Sequence, residues 1–335
     1  MTDESTQNNG ARLSVSFEEA IVLVKEEVNK IMSASPLIIR RYTEHLEWSR
    51  GKYIRAKSVL ACSMNRDGLI PLRAIKIAAS IEILHLATLV HDDVIDDADV
   101  RRGLPTLHKR FGYRTAVICG DYLLSVALRL AASIQNKQEY LDLEIPDSAV
   151  KICSGELLEQ INNGNFDLTV YQYLKIISGK TAALFEASFF AGAVLSGCEQ
   201  AHLKLYKRLG HYLGMVFQLI DDCMDFEVSS DIAQKPVQSD FEKDIITLPI
   251  IQTFKKKADL KQKALIRSLT KDELNMAVYK TGSLNYTRMV ARKYYNKYKG
   301  ILSRMDVTKE KRHSLLDILD NAYRVFSGSM DATVN

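Results

Sequence analysis

The chain has 335 residues, of which 47% are hydrophobic and 26% charged, with 45 Lys and Arg against 41 Asp and Glu. That composition suits a globular protein able to bury a large core, and a net charge of +4 excludes a nucleic-acid coat protein or an acidic tail. Only six prolines and sixteen glycines interrupt it, which favours long helices over a turn-rich β fold.

The opening MTDESTQNNGARL is polar and lacks the apolar core of a signal peptide. Residues 1–14 are therefore expected to be a disordered leader, followed by a single domain over 15–330. No apolar run reaches the ~18–20 residues that span a bilayer, so no membrane span is expected. Cys62, Cys119, Cys153, Cys198 and Cys223 are odd in number and lack C-x-x-C spacing. They read as reduced thiols of a cytoplasmic protein rather than a disulfide frame or a zinc site.

From there apolar residues recur at intervals of three and four, the signature of helices. Ile21, Val22, Val24, Val28 and Ile31 form a first stripe, and Gly51-Lys52-Tyr53-Ile54-Arg55 opens a second helix. Residues 69–97 are apolar on most sides and predict a buried central helix. Further helices are expected near 115–133, 147–162, 170–178, 180–196, 200–226, 239–256, 283–302 and 310–327. Gly and Pro breakers fall between them, and 229–238 reads as an exposed loop. No β alternation of useful length is present. The expectation is an all-α, single-domain bundle of roughly a dozen helices around a central cavity, with the chemistry at helix ends.

Two acidic clusters close apolar helices. In LVHDDVIDDADVRRG, Asp92 and Asp96 lie one turn apart and Asp93 is ~100° round from Asp92, so the three carboxylates can share one side. In FQLIDDCMDF, Asp221, Asp222 and Asp225 repeat that geometry. Six carboxylates gathered in a cavity repel and titrate high unless cations compensate. Mg²⁺ is the natural cation, being a hard ion that takes carboxylate oxygens and bridges to substrate phosphates. It would stabilise the charge that develops on a departing diphosphate. The plainer alternative, acids gathering where helices emerge into solvent, is disfavoured because both clusters end apolar helices.

A diphosphate also needs donors. Arg101 and Arg102 follow the first cluster, and Arg offers phosphate a bidentate fork. Lys52 and Arg55 stand at a helix start, as does Lys180-Thr181 after Gly179, and Lys235 lies in the loop after the second cluster. His85, seven residues before Asp92, is either a hydrogen-bonded core histidine or a phosphate donor.

Taken together, GKYIR (51–55), HDDVIDDADVRRG (91–103), GDYLL (120–124), GKT (179–181), FQLIDDCMD (217–225), KP (235–236) and TLP (247–249) resemble the trans-isoprenyl diphosphate synthases, or polyprenyl synthetases, over nearly everything after residue 15. The resemblance implies an isoprenoid-synthase fold and Mg²⁺-assisted, head-to-tail condensation of isopentenyl diphosphate with an allylic diphosphate by ionisation, condensation and elimination. It implies three Mg²⁺ per site. Asp92, Asp93 and Asp96 would hold two, and Asp221, with Asp222 and Asp225 nearby, the third. It assigns Arg101, Lys180 and Lys235 to the allylic diphosphate, and the Gly51 backbone, Lys52, Arg55, His85 and Arg102 to isopentenyl diphosphate. Thr181 and Gln218 would line the reacting centre. It implies a homodimer, with a small regulatory subunit as the alternative partner and release of product at a membrane surface.

The chain departs from the family pattern before TLP, where Ile245 stands in place of the usual lysine and Lys243 is the nearest substitute. The C-terminal segment also lacks terminal basic residues. Ala87 and Thr88, the fifth and fourth residues before Asp92, are small, which favours a medium or long polyprenyl product over a short farnesyl or geranylgeranyl one. A terpene cyclase would need neither a second Asp-rich cluster nor the Lys52/Arg55 element. A non-catalytic subunit would be expected to have lost one of the clusters.

Overall fold

The computed structural model describes residues 13–47, 51–133, 143–227 and 239–324. The expected leader lies mostly outside these, and Lys235 with the whole 229–238 loop lies outside them as well. The chain enters through β1 (Ser14–Val15) and continues into α1 (Phe17–Ser33) and α2 (Leu37–Glu47). There follow α3 (Ile54–Ser63), β2 (Ile70–Pro71) and α4 (Leu72–Ile95). A small hairpin, β3 (Val100–Arg101) and β4 (Leu104–Pro105), leads to α5 (Leu107–Phe111) and α6 (Tyr113–Ala132). Then come α7 (Ile145–Gln160), α8 (Val170–Ile177), a π-helical turn at Ser178–Ala182, α9 (Ala183–Leu195) and α10 (Gln200–Glu227). The last helices are α11 (Ser239–Glu242), α12 (Leu248–Lys256), α13 (Ala258–Leu265), α14 (Lys271–Lys280), α15 (Ser283–Leu302) and α16 (Lys309–Arg324).

The fold is all-α, as expected, with two corrections to the periodicity reading. The single helix expected over 239–256 is broken at 243–247, because Asp244 has φ +59°, a conformation no α-helix contains. Two minimal antiparallel pairs also form, Ser14↔Pro71 with Val15↔Ile70 and Val100↔Pro105 with Arg101↔Leu104. Strands this short carry no readable alternation.

Local chemistry sets the helix starts. Ser16 accepts from Glu19 N–H at 3.2 Å ahead of α1, and Thr169/Gln172 and Thr270/Glu273 form capping boxes ahead of α8 and α14. The start of α3 is capped from another element. Glu82 of α4 accepts the Ala56 N–H at 2.9 Å, satisfying an amide that α3 itself leaves orphaned.

By length and composition α4 and α6 could each cross a membrane, contrary to the sequence expectation. Most of α4 is instead buried in the interior, whereas α6 covers α4 with one face and turns Val117 and Ile118 outward. Two core clusters form. One gathers α1, α3, α4, α6 and part of α7; the other gathers α8, α10, α12, α14, α15 and α16. Helices α3 and α9 contribute side chains to both, and the cavities described below lie between helices of the two clusters.

One crossing places the π turn. A Cβ on Gly155 of α7 would stand 2.3 Å from the Lys180 backbone nitrogen, and a Cβ on Gly179 would stand 2.9 Å from Gly155 Cα. Only glycine at both positions lets the two backbones approach this closely. Gly155→Ala is expected to lower stability by about 1–3 kcal/mol and to displace Lys180. A urea-denaturation midpoint equal to that of the unaltered chain would contradict this packing argument.

Candidate functional site

Two cavities share a wall. The larger, about 890 Å³, is bounded by α1, residues 51–57, α4, α10 and α16. The smaller, about 120 Å³, lies between Asp96, the end of α7, the π turn, α10 and residues 245–247. Asp221 lines both.

The larger cavity is basic. Lys25, Lys52, Arg55, Lys57 and Arg102 line it, opposed by Glu82 and Asp221. Burial pushes the Arg55 guanidinium down to about 10, against the opposing pull of Glu82 and Asp92. Its guanidinium carbon lies 4.5 Å from the Phe185 ring centroid and 5.9 Å from that of Phe217, a packing that spares Arg some of its lost hydration. Arg55 Nη1 lies 3.0 Å from His85 Nε2. Arginine has only donors, so His85 Nε2 accepts and its proton sits on Nδ1. Burial, with Arg55, Arg101 and Arg102 around it, holds the His85 pKa well below the ordinary histidine value. His85 is thus a neutral acceptor that orients Arg55, and it also lines the larger cavity. Gly51 packs on Arg102, where a Cβ would meet Nη2 at 2.7 Å.

The smaller cavity is acidic. Lys180 is the one cation among its described lining residues, facing Asp96, Glu159, Asp221 and Asp222. Lys180 Nζ stands 2.9 Å from Glu156 Oε2 and donates to Glu159 Oε2. Burial works against its charge, yet Glu159, Glu156 and Asp92 hold its pKa above the usual lysine value. Thr181 donates to Gln218 Oε1 at 2.7 Å, Gln218 Nε2 donates to Asp222 Oδ1 at 2.8 Å, and Tyr173 donates its hydroxyl to Asp222 Oδ2. The Thr181–Gln218 pair is therefore fixed to the second cluster through one buried carboxylate.

The six aspartates sort into two groups. Asp93 is buried and accepts from Arg101 Nε at 2.8 and 2.9 Å, with Nη2 at 2.6 Å. Both its oxygens and the Arg101 fork are thus engaged with each other, rather than with a shared face of Asp92 and Asp96. Asp222 and Asp225 are buried within α10's packing. Asp92, Asp96 and Asp221 are only half-buried. Burial pushes Asp92 up to about 7, with Glu156 and Asp96 adding to the rise and Lys180 and Arg101 opposing it. Burial raises Asp222 to about 7 as well, against its hydrogen bonds from Tyr173 and Gln218.

Among the described residues no three His, Cys, Asp or Glu side chains stand close enough to form a ready-made metal centre. The donor set still fits a hard divalent cation, since oxygens with pKa near 7 in an anionic cavity are stabilised by one.

Lys243 Nζ reaches Asp96 Oδ2 at 3.4 Å, while the Ile245 side chain lines the small cavity. Ala87 is buried in the core at 2% exposure, and Thr88 donates to the His85 carbonyl at 2.8 Å. Neither lines the two cavities; from α4, Leu86 and Leu89 do. Sequence reasoning missed Glu82, Glu156, Glu159 and Tyr173, and the acidic pair in GELLEQ, one turn apart on a helix beginning with apolar residues, was the available signal.

Residues 36–288 match the family model described as polyprenyl synthetase. The chain is 31% identical over 302 residues to heptaprenyl diphosphate synthase component 2 of Bacillus subtilis, covering 88% of this chain and 86% of that protein. It is 31% identical over 291 residues to geranylgeranyl diphosphate synthase of Sulfolobus acidocaldarius, covering 83% and 88%. A solved polyprenyl synthase from Caulobacter crescentus, complexed with calcium and isoprenyl diphosphate, superposes with TM-score 0.84 at 29% identity, covering 91% of this chain and 94% of that one. A family match across most of the chain, on a fold that brings both acidic clusters to one pair of cavities, makes this chain a member of the polyprenyl synthetase family and a prenyltransferase.

Proposed function

We propose that the chain is a Mg²⁺-dependent trans-polyprenyl diphosphate synthase that condenses isopentenyl diphosphate head-to-tail with an allylic prenyl diphosphate. The observation that carries this reading is the wall at Asp221, with a basic cavity on one side and an acidic one on the other. Two diphosphates with different needs would sit on either side of it. The acidic side takes the allylic diphosphate with its cations, and the basic side takes isopentenyl diphosphate without them. The calcium and isoprenyl diphosphate of the Caulobacter crescentus protein support a divalent cation here.

Asp92, Asp96 and Asp221 would hold Mg²⁺, which would supply neutralising charge to a departing diphosphate. Lys180 and Lys243 add fixed positive charge at the same site. In the basic cavity Lys52, Arg55 and Arg102 hold the second diphosphate, and His85 keeps Arg55 aimed. The allylic C–O bond breaks with its electron pair going to diphosphate. The isopentenyl double bond then attacks the resulting cation, and a proton is lost to the departed diphosphate. The Phe217 ring in the cavity wall and the Thr181–Gln218 pair exclude water while the cation exists.

The reading extends to a medium or long all-trans product, supported by the heptaprenyl name of the Bacillus subtilis relative and by the small, half-buried Thr88 one turn before Asp92. A homodimer is supported by apolar residues that α6 and α7 leave exposed, among them Tyr113, Ile118, Val150, Leu157 and Ile161. The component 2 name of the Bacillus subtilis relative favours a second reading, a catalytic chain with a different partner subunit. Five free thiols suit a cytoplasmic, reducing setting.

The purified chain, given Mg²⁺, labelled isopentenyl diphosphate and allylic primers of several lengths, is expected to yield elongated products on chromatography. No elongation from any primer would overturn the reading for the isolated chain. Asp92→Ala is expected to cut that activity by about a thousandfold or more with the helical circular dichroism preserved. Lys243→Ala should raise the KM for the allylic diphosphate about tenfold, and adding Ile245→Lys should recover much of it. No change from the single substitution would remove Lys243 from the site. Thr88→Phe is expected to shorten the product; an unaltered product distribution would place the end of the growing chain elsewhere.

A further inference from the structure

Glu159 carries no role in the mechanism above, yet it lines the acidic cavity. Helix α7 presents Glu156 and Glu159 one turn apart, and the Gly155–Gly179 approach presses the π turn against them. Lys180 is held between the two, with 22% of its side-chain surface exposed against 12% for Glu156 and 13% for Glu159. The two glutamates are held differently. Glu156 also accepts from Gln160 Nε2 at 3.3 Å, which ties it to its own helix. Glu159 lines the cavity itself, beside Asp96, Asp221 and Asp222. Burial raises its pKa, Lys180 opposes the rise, and Glu156 and Asp96 add to it. With Lys180 the one cation among the described lining residues, facing Asp96, Glu159, Asp221 and Asp222, the cavity is anionic.

We propose that Glu159 occupies, in the free protein, the place on Lys180 that a diphosphate oxygen takes in the complex, and thereby makes divalent-cation binding a condition of diphosphate binding. The inference rests on reading this cavity as the diphosphate site. A diphosphate arriving alone must displace one carboxylate from Lys180 and sit among three others. Both costs fall once a divalent cation neutralises the carboxylates, because Glu159 then has a competing partner and Lys180 can turn to the phosphate. Glu156, fixed by Gln160, keeps the ammonium within reach throughout. Glu159 is thus a positioning residue: it acts through Lys180 and sets the order in which cation and anion enter.

The test is calorimetric titration of inorganic diphosphate into the full-length chain, with and without Mg²⁺. The unaltered protein should bind measurably only with Mg²⁺. Glu159→Gln keeps the shape and removes the charge. It should bind diphosphate without Mg²⁺ at least about tenfold more tightly than the unaltered protein, while affinity at saturating Mg²⁺ shifts by no more than about threefold. Adding Lys180→Ala to Glu159→Gln should abolish the metal-free gain, and circular dichroism verifies that each variant folds. Equal weakening with and without Mg²⁺ would make Glu159 a mere prop for Lys180. Weakening only with Mg²⁺ would make it a metal ligand, and either result overturns the proposal. If the unaltered protein fails to bind diphosphate even at saturating Mg²⁺, the reading of the cavity falls first, and this inference with it.

Discussion

The site is governed by the crowding of carboxylates in a space too dry to screen them. The end of α4 and helices α7 and α10 bring Asp96, Glu159, Asp221 and Asp222 around one small cavity and one lysine, with Asp92 near enough to feel that lysine's charge. Like charges at such range cannot all stay ionised without compensation, and the structure shows each form the compensation takes. Asp93 is paired with Arg101, and Asp222 accepts hydrogen bonds from Tyr173 and Gln218, which only partly offset its burial. Glu156 and Glu159 share Lys180. Asp92 has no full compensation and is raised to about 7. That sorting separates aspartates already engaged or buried within the helix packing from those left half-buried. Two identical-looking sequence clusters therefore do different work position by position.

The same constraint explains the division of labour between the cavities. A basic cavity with neutral His85 behind Arg55 can hold an anion through arginine forks alone. An acidic cavity cannot do so unless cations offset its carboxylates. The capping of α3 by Glu82 belongs to this logic. The N-terminus of α3 would otherwise attract the anion, but Glu82 already accepts the Ala56 amide. Recognition is left to side chains, whose positions the packing of α3 and α4 fixes. The cavities sit between the two core clusters, so neither cluster has to bury a charge network inside its own apolar packing.

Much of this was legible in the sequence, and what was legible shares a property. The helices α4 and α10 and their aspartates could be read because an apolar run of this length ending in carboxylates is visible within a single stretch of chain. Helices α13 and α14 escaped notice because they are short and polar, and their stability comes from capping and docking rather than from a broad apolar stripe. Glu82, Glu159 and Tyr173 escaped for a different reason. Their partners lie 26, 21 and 49 residues away, and only tertiary packing turns an ordinary helical residue into a site residue. The pairing of Asp93 with Arg101 had the same origin: the β3–β4 hairpin folds Arg101 back onto α4.

The stretch before TLP shows how a local departure is absorbed. Asp244 adopts φ +59°, a left-handed conformation that aspartate tolerates better than most residues. Its carbonyl accepts the Gly164 amide at 2.8 Å, and its carboxylate is paired with the Arg267 guanidinium, Nη2 standing 2.9 Å from Oδ2. Those contacts fix the turn from both sides. With the turn fixed, Ile245 faces the small cavity as an apolar wall, and Lys243, two residues earlier, extends to Asp96. Lys243 thereby places a positive charge beside the carboxylates from two residues before Ile245. What the acidic cavity requires is a cation within reach of Asp96, and a lysine side chain is long enough to supply it from either residue.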